Sequence, residues 1–294
     1  MKFAYKAYAK LNLHLDITGL LPDGYHSVAM LMQSVDLADT VTVETVRGKG
    51  VDIRCNLPYV PRDRRNIAWK AAQAFFAPGK TSAPRIPGLK IVLEKRIPAG
   101  AGMAGGSADA AAVLTALREM YMPGMPDEEL SRIGAAVGAD VPFCLRGGCC
   151  WAEGAGEKLT SLQSLPPVYQ FAVTKPDLHM STASAYAMLD KIPLKRPDTE
   201  RVYALALQGG WEGLFPHCAN VFEQAIELPG LPQAKAACAG AGALLTQMTG
   251  SGSAVFAVCG GNTNPERVRQ SLQALGGDFL SFLQPVPKGV EKIS

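Results

Sequence analysis

The sequence predicts an α+β protein in two parts, residues 1–158 and 159–294. Three observations carry this reading. A strand of strict period two opens the chain at Ala7–Ile17. A strand, a glycine-rich loop and an alanine-rich helix follow one another between Leu89 and Tyr121. A second strand, glycine loop and strand unit lies at 244–259, beyond a Ser-, Gln-, Leu- and Pro-containing stretch at 158–168 that reads as a linker. The length of 294 residues accommodates one large or two medium domains.

In Ala7–Ile17, Ala9, Leu11, Leu13, Leu15 and Ile17 share one face, and Lys10, Asn12, His14 and Asp16 share the other. This is the pattern of a half-buried strand. His14 and Asp16 fit a solvated face as well as a functional one; Lys10 and Asn12 lie far from any chain end that explains them. Pro22-Asp23-Gly24 is a turn, since proline fixes φ, aspartate accepts locally and glycine supplies positive φ. It presents Tyr25 beside His26, a pair able to stack on and hydrogen-bond a heterocycle, or simply to cap a core edge. Asp39–Val46 is a strand, Val51–Cys55 its expected hairpin partner, and Asn66–Phe76 a helix with Asn66 as N-cap. Leu89–Leu93 is a strand, and an alanine-rich helix ends near Tyr121. Ser107 falls at the N-cap or in the first turn of that helix, where its hydroxyl can cap amides, meet a phosphate, or both. Asp127–Val137 is a helix with Asp127 as N-cap, stopped by Gly138. Asp140 then enters an apolar run, where a carboxylate either caps amides or does chemistry. Cys149–Glu153 is a short strand between glycine turns.

The second half opens with a strand at Tyr169–Thr174. Ser181-Thr182 caps a helix running to about Leu189, and 191–200 is a loop. Helices are expected at 200–208, 217–228, 232–239 and 264–275, and strands at 244–248, 255–259 and 279–284. Thr249-Gly250-Ser251-Gly252-Ser253-Ala254 forms a second glycine and hydroxyl loop.

Composition limits the function. An apolar fraction of 48% with 19% charged residues is that of a globular chain. A net charge of +3 without a basic block gives no nucleic-acid footprint. No apolar run reaches the roughly 18 residues of a membrane span, the N-terminus lacks a signal-peptide core, and no protein partner is indicated. Seven scattered cysteines, with no Cys-x-x-Cys, read as reduced thiols of a cytoplasmic protein.

The loop Ile97-Pro98-Ala99-Gly100-Ala101-Gly102-Met103-Ala104-Gly105-Gly106-Ser107-Ala108 leads a strand into a helix N-terminus. Glycines let a ligand approach the backbone, and the first helix amides carry the positive end of the macrodipole, so the unit can cradle phosphate. The same composition also suits a tight helix-on-sheet turn. No Gly-Lys-[Ser/Thr] closes it, so it is not a Walker A loop. Gly100, Gly102 and Gly105 match the spacing of dinucleotide binders, but the acidic residue at the expected distance, Glu119, sits inside the helix.

Four segments together resemble a known family. Ala9-Lys10-Leu11-Asn12-Leu13 is similar to the first motif of the GHMP kinase superfamily, which includes galactokinase, homoserine kinase and mevalonate kinase. Pro98-x-x-x-Gly102-x-x-Gly105-Gly106-Ser107 resembles its second, phosphate-binding motif, and Met248–Ala254 its third. Asp23-Gly24-Tyr25-His26 resembles the substrate motif of the branch acting on 4-diphosphocytidyl-2-C-methyl-D-erythritol in non-mevalonate isoprenoid biosynthesis. Gly138–Pro142 and Ser181-Thr182-x-x-x-Tyr186 match that branch too. Tyr8 stands where the family usually has proline, and Met103-Ala104-Gly105-Gly106 replaces the commoner Leu-Gly-Gly-Gly.

The resemblance implies an N-terminal mixed sheet with helices, a smaller C-terminal α+β domain, and an active site in the cleft between them. It implies transfer of the γ-phosphoryl group of ATP to the 2-hydroxyl of a cytidyl diphosphate sugar alcohol, with Asp140 as base and Lys10 beside it. Residues 98–108 would hold the ATP phosphates, and Asn66 and Lys95 would contact adenine. Mg²⁺ would bridge phosphate oxygens, with Ser107 as candidate protein ligand. Tyr25 and Tyr186 would sandwich cytosine, His26 would read its polar edge, Asn12 and Thr182 would contact the substrate backbone, and Thr249 to Ser253, with Gly250 and Ser251, would support the site and the substrate diphosphate. A homoserine- or mevalonate-type kinase would leave Tyr25-His26 without a base to bind. A non-catalytic nucleotide-binding protein would not need both Lys10 and Asp140.

Overall fold

Two unusually long strands organise the chain. β1 (Lys2–Leu20) and β2 (His26–Val46) pair antiparallel along their whole length, with register shifts at Tyr8/Ala9, Asn12/His14 and Ile17/Gly19. The computed structural model describes residues 1–22, 24–77 and 88–293, so Asp23 of the expected turn lies outside the described residues. The free edge of β2 forks. Its first half pairs with β5 (Cys149–Glu153) and its second half with β4 (Gly88–Glu94). The alternation at 39–46 marks only the second half; Val28–Met32 is buried without interruption and so shows no period of two.

β3 (Gly50–Cys55) is not the hairpin partner of β2. It pairs parallel with β4, which is inserted between them. The link from β2 to β3 crosses the start of β4 at Gly88, where a β-carbon would stand 2.6 Å from the Val46 carbonyl oxygen. α1 (Ile67–Phe75) is capped by Asn66 as expected. α2 (Gly105–Tyr121) packs on β1, β2 and α1. Its buried alanines, among them Ala108, Ala111 and Ala112, let it lie close to the sheet, while buried Leu114 and Leu117 each contribute about 1.5–3 kcal/mol. α3 (Asp127–Val137) has Pro126 rather than Asp127 at its N-cap; Asp127 is its first helical residue. α4 (Val141–Arg146) follows directly.

The expected linker at 158–168 is partly strand. β6 (Lys158–Leu162) closes a hairpin with β5 and stays in the first sheet. β7 (Gln170–Lys175) opens the second sheet. α5 (Thr182–Leu189), α6 (Thr199–Leu207) and α7 (Trp211–Leu214) come next. The helix expected at 217–228 is replaced by two 3₁₀ turns, Phe215–His217 and Val221–Gln224, the second begun by Asn220 accepting from the Phe222 amide. α8 (Leu231–Gly240), β8 (Leu245–Met248), β9 (Val255–Cys259), α9 (Pro265–Gln273) and β10 (Phe279–Leu283) complete a four-stranded antiparallel sheet of order β10-β7-β9-β8. One strand more than the sequence predicts follows β10: β11 (Val290–Lys292) returns to pair with β1.

The polar face of β1 is not solvated. Lys10, Asn12, His14 and Asp16 are all buried; the second half of the chain meets Asn12, His14 and Asp16, while Lys10 meets the first glycine loop and Asp140. The Asn12 amide donates to Thr249 Oγ1 at 2.9 Å. The Ala219 amide donates to His14 Nδ1 at 3.2 Å. Arg196 holds Asp16 with two nitrogens, and the Thr199 hydroxyl donates to Asp16 Oδ2 at 2.7 Å. The stripe that reads as a half-buried strand is the seam between the two halves. Its polarity is matched residue by residue, as burial demands.

Candidate active site

Two glycine loops meet over the middle of β1. Gly102, at φ +70°, is so close to the second loop that a β-carbon would fall 2.1 Å from the Thr249 carbonyl oxygen. Only glycine fits there. The Ser253 and Ala254 amides donate to the carbonyls of Gly100 and Ala101 at 3.4 and 3.3 Å, and the Lys10 amide donates to that of Met103 at 3.2 Å. Ala104 takes a left-handed conformation at φ 58° and delivers the chain into α2. No side chain caps this helix; its first internal bond runs from the Ala108 amide to the Ala104 carbonyl at 2.9 Å. The amides of Gly105, Gly106 and Ser107 are therefore the unpaired positive end of a 17-residue helix. Ser107 lies in the first turn and does not cap. Its Oγ is 4.0 Å from the position of a β-carbon on Gly138, so it points toward the segment leading to Asp140.

Asp140 occupies the N-cap position of α4 but makes no capping hydrogen bond. Its carboxylate is 34% exposed, and Oδ2 stands 3.9 Å from Lys10 Nζ, which is almost fully buried. The Lys10 ammonium also donates to Asn12 Oδ1. Burial, aided by the charge of Asp140, pushes the Tyr186 hydroxyl up to about 12. Across the site the hydroxyls of Thr182 and Ser251 are 3.2 Å apart, and Asn220 donates to the carbonyls of Met248 and Gly250, each at 2.8 Å, holding the second loop.

Tyr186 does not face Tyr25. The ring stacked on it is His26, at 4.4 Å and 23° between planes. His26 Nε2 is 2.8 Å from Asp190 Oδ1, and Tyr25 lies at the surface, 68% exposed. The two-tyrosine slot is thus not formed in this structure, because the imidazole covers the Tyr186 face.

The side chains of Asn66 and Lys95 are committed to the fold rather than held out toward adenine. Asn66 accepts from the Ala68 amide at 2.9 Å and donates to the Pro61 carbonyl at 2.7 Å. The Lys95 ammonium pairs with Asp39, with Asp109 at 2.6 Å, and with the Gly105 carbonyl at 3.2 Å. Asp39 in turn accepts from the Arg96 and Ile97 amides at 2.6 and 2.9 Å. Two buried carboxylates share this one ammonium, and Asp109 Oδ1 has no hydrogen-bond partner. Burial raises the Asp109 carboxyl well above its usual range; Lys95 opposes this and Asp39 adds to it. Neither Asp39 nor Asp109 belongs to a motif legible in the sequence. The local signal for Asp109 is a carboxylate set directly among alanines, between Ala108 and Ala110, in a buried stretch of α2.

Among the described residues no group of three or more His, Cys, Asp or Glu could hold a metal ion. At the start of α2 the free amides are hydrogen-bond donors suited to phosphate oxygens, and the Ser107 hydroxyl is the one side-chain oxygen of that turn able to ligate a hard cation. No described helix is long and apolar enough to cross a membrane.

The chain matches the family models for the GHMP kinases N terminal domain over residues 66–148 and the GHMP kinases C terminal over residues 193–278. It is 41% identical over 254 residues to the 4-diphosphocytidyl-2-C-methyl-D-erythritol kinase of Clostridium tetani, spanning 85% of this chain and 89% of that one. It is 39% identical to the enzyme of the same name from Exiguobacterium sibiricum, over 93% and 94% of the two chains. A crystal structure of 4-(cytidine 5'-diphospho)-2C-methyl-D-erythritol kinase superposes with a TM-score of 0.72 at 32% identity, covering 97% of this chain and 99% of that one. A homoserine kinase from Cytophaga hutchinsonii superposes at 0.77 with 19% identity, over 99% and 97% of the chains, and shares the fold. With an uncapped helix start beside a lysine–aspartate pair, and relatives of this identity along most of its length, the chain belongs to the 4-diphosphocytidyl-2-C-methyl-D-erythritol kinase family of GHMP kinases.

Proposed function

We propose that this protein transfers the γ-phosphoryl group of ATP to the 2-hydroxyl of 4-diphosphocytidyl-2-C-methyl-D-erythritol, a step of non-mevalonate isoprenoid biosynthesis. The observation that carries the proposal is the Lys10–Asp140 pair at 3.9 Å beside the free amides that open α2. Phosphoryl transfer depends on positioning and charge neutralisation more than on covalent help from the protein. Loop 98–108 binds the ATP phosphates through backbone amides. The substrate hydroxyl sits against Asp140, and its oxygen bonds to the γ-phosphorus as the bond to the β-phosphate oxygen breaks. The hydroxyl proton passes to Asp140, and ADP leaves. Lys10 keeps a positive charge beside the base and the moving phosphoryl group. Ser107 would hold Mg²⁺ together with the ATP phosphates, and the ion would supply charge neutralisation.

The cytidyl group is placed on the Tyr25, His26 and Tyr186 side, where it displaces or stacks upon the His26 ring, and Asn12, Thr182, Gly250 and Ser251 support the remainder of the substrate. The seven free thiols suit a reducing, cytoplasmic compartment. A coupled ADP-release assay with a panel of alcohols tests the proposal. Turnover is expected with the cytidyl substrate. Turnover of homoserine or mevalonate, with none of the cytidyl compound, would overturn it.

A further inference from the structure

His179 lies in the segment between β7 and α5, outside every motif discussed above, yet it sits over the phosphate loop. A β-carbon placed on Gly100 would be 3.4 Å from its Nδ1 and 3.5 Å from its Cε1. The ring is exposed. Among the described residues nothing engages it through a hydrogen bond or ion pair, so both nitrogens remain available to a ligand.

Its position is not that of a loose surface side chain. The Ser253 hydroxyl donates to the Leu178 carbonyl at 2.7 Å and lies 3.3 Å from that of Pro176, gripping the backbone on the N-terminal side of His179. The same Ser253 donates through its backbone amide to the Gly100 carbonyl at 3.4 Å. Two residues after His179, Ser181 caps α5 by accepting from the Ser184 amide at 3.1 Å. One serine therefore fixes both the imidazole-bearing segment and the glycine it covers, and a cap fixes the other side.

We propose that His179 is a binding residue for the polyphosphate of ATP, donating a ring N–H to a phosphate oxygen held on loop 98–108 beside Gly100. This rests on the phosphoryl-transfer reading of the same loop. The ATP chain is favoured over the substrate diphosphate because the ring lies on Gly100 itself, whereas Thr182 and Ser251 pair with each other across the site. A donor to a charged phosphate contributes more than a neutral hydrogen bond, less so when exposed.

The test measures the Kd of a non-hydrolysable ATP analogue, and of adenosine, by titration calorimetry on the full chain, alongside KM for both substrates. His179→Ala is expected to weaken the analogue by about 3–10-fold, with adenosine affinity and KM for the alcohol substrate unchanged. His179→Gln, which keeps an N–H donor, restores most of the loss; His179→Phe, which keeps the packing, does not. Analogue affinity within twofold of wild type in His179→Ala, or full rescue by phenylalanine, overturns the inference while leaving the kinase reading intact. A wild-type protein that turns over no alcohol and binds no ATP analogue overturns both.

Discussion

Lys10 Nζ lies 3.9 Å from Asp140 Oδ2, although 130 residues separate them and neither stands next to the other in any element. β1 brings the lysine from within the seam; the start of α4 brings the aspartate. Because Asp140 makes no capping bond at its N-cap position, its carboxylate contributes little to holding α4. Asp140→Asn is therefore expected to fold normally and keep its ATP KM, while kcat falls about 10²–10⁴-fold, the usual contribution of a positioned base. Steady-state kinetics together with a denaturation curve checks both halves of this statement. An unchanged kcat removes Asp140 from the base position.

The Asp39–Lys95–Asp109 cluster behaves as a unit with unequal members. Asp39 uses one oxygen for the Arg96 and Ile97 amides and the other for Lys95, so both of its oxygens meet donors. Burial raises the Asp109 carboxyl, and its Oδ1 lacks a partner. Asp109→Asn is thus expected to change stability by less than about 1 kcal/mol. Lys95→Met leaves buried carboxylate charge unmatched and is expected to cost about 3–5 kcal/mol. Urea denaturation of the two variants reads the difference. Equal losses would show that Asp109 carries a full charge in the folded state.

These two sites differ in how far the sequence reveals them. Lys10 and Asn12 stand out because polar residues recur at period two on an apolar strand, and the glycine loops announce positive φ. The pattern does not say what covers the polar face. That is decided by Thr249, Ala219 and Arg196, each at least 180 residues away in sequence. Hence the strand reads as half-buried when it is buried on both faces. β3 is misread for a related reason: a two-strand hairpin and a split hairpin have the same local sequence, and only the missing β-carbon at Gly88 hints that another strand passes beneath. Lys95 is placed in the site by family resemblance, but its ammonium is occupied by two aspartates that no local pattern connects to it.

His26 is held on Tyr186 by Asp190, a residue outside the motifs read from the sequence. The 2.8 Å contact joins the start of β2 to the end of α5. Removing it by Asp190→Ala frees the imidazole to leave the Tyr186 face. KM for the cytidyl substrate is expected to change by about 3–10-fold, the range of one partly exposed charge-assisted hydrogen bond, with ATP KM unaltered. If ATP KM shifts equally, the pair supports the fold as a whole rather than the base subsite.

The seam along β1 also makes the protein sensitive to acid. His14 is fully buried, stacked on Trp151 at 6.0 Å between ring centres, and accepts from the Ala219 amide at Nδ1, so its proton sits on Nε2, which faces Thr199 Oγ1 at 3.2 Å. Burial lowers its pKa from 6.5 to about 4, with Asp16 opposing the shift. A base whose pKa is depressed on folding binds more protons in the unfolded chain between those two values. The resulting stability is therefore complete above about pH 6.5 and is lost as pH falls toward 4. The shift corresponds to about 3 kcal/mol at most. Urea midpoints measured from pH 7.5 down to about pH 4.5 should fall accordingly. In His14→Gln the overall stability drops, because the ring stack is lost, but this component of the pH slope disappears. A slope below pH 6.5 that is identical in the variant would place the acid sensitivity outside His14.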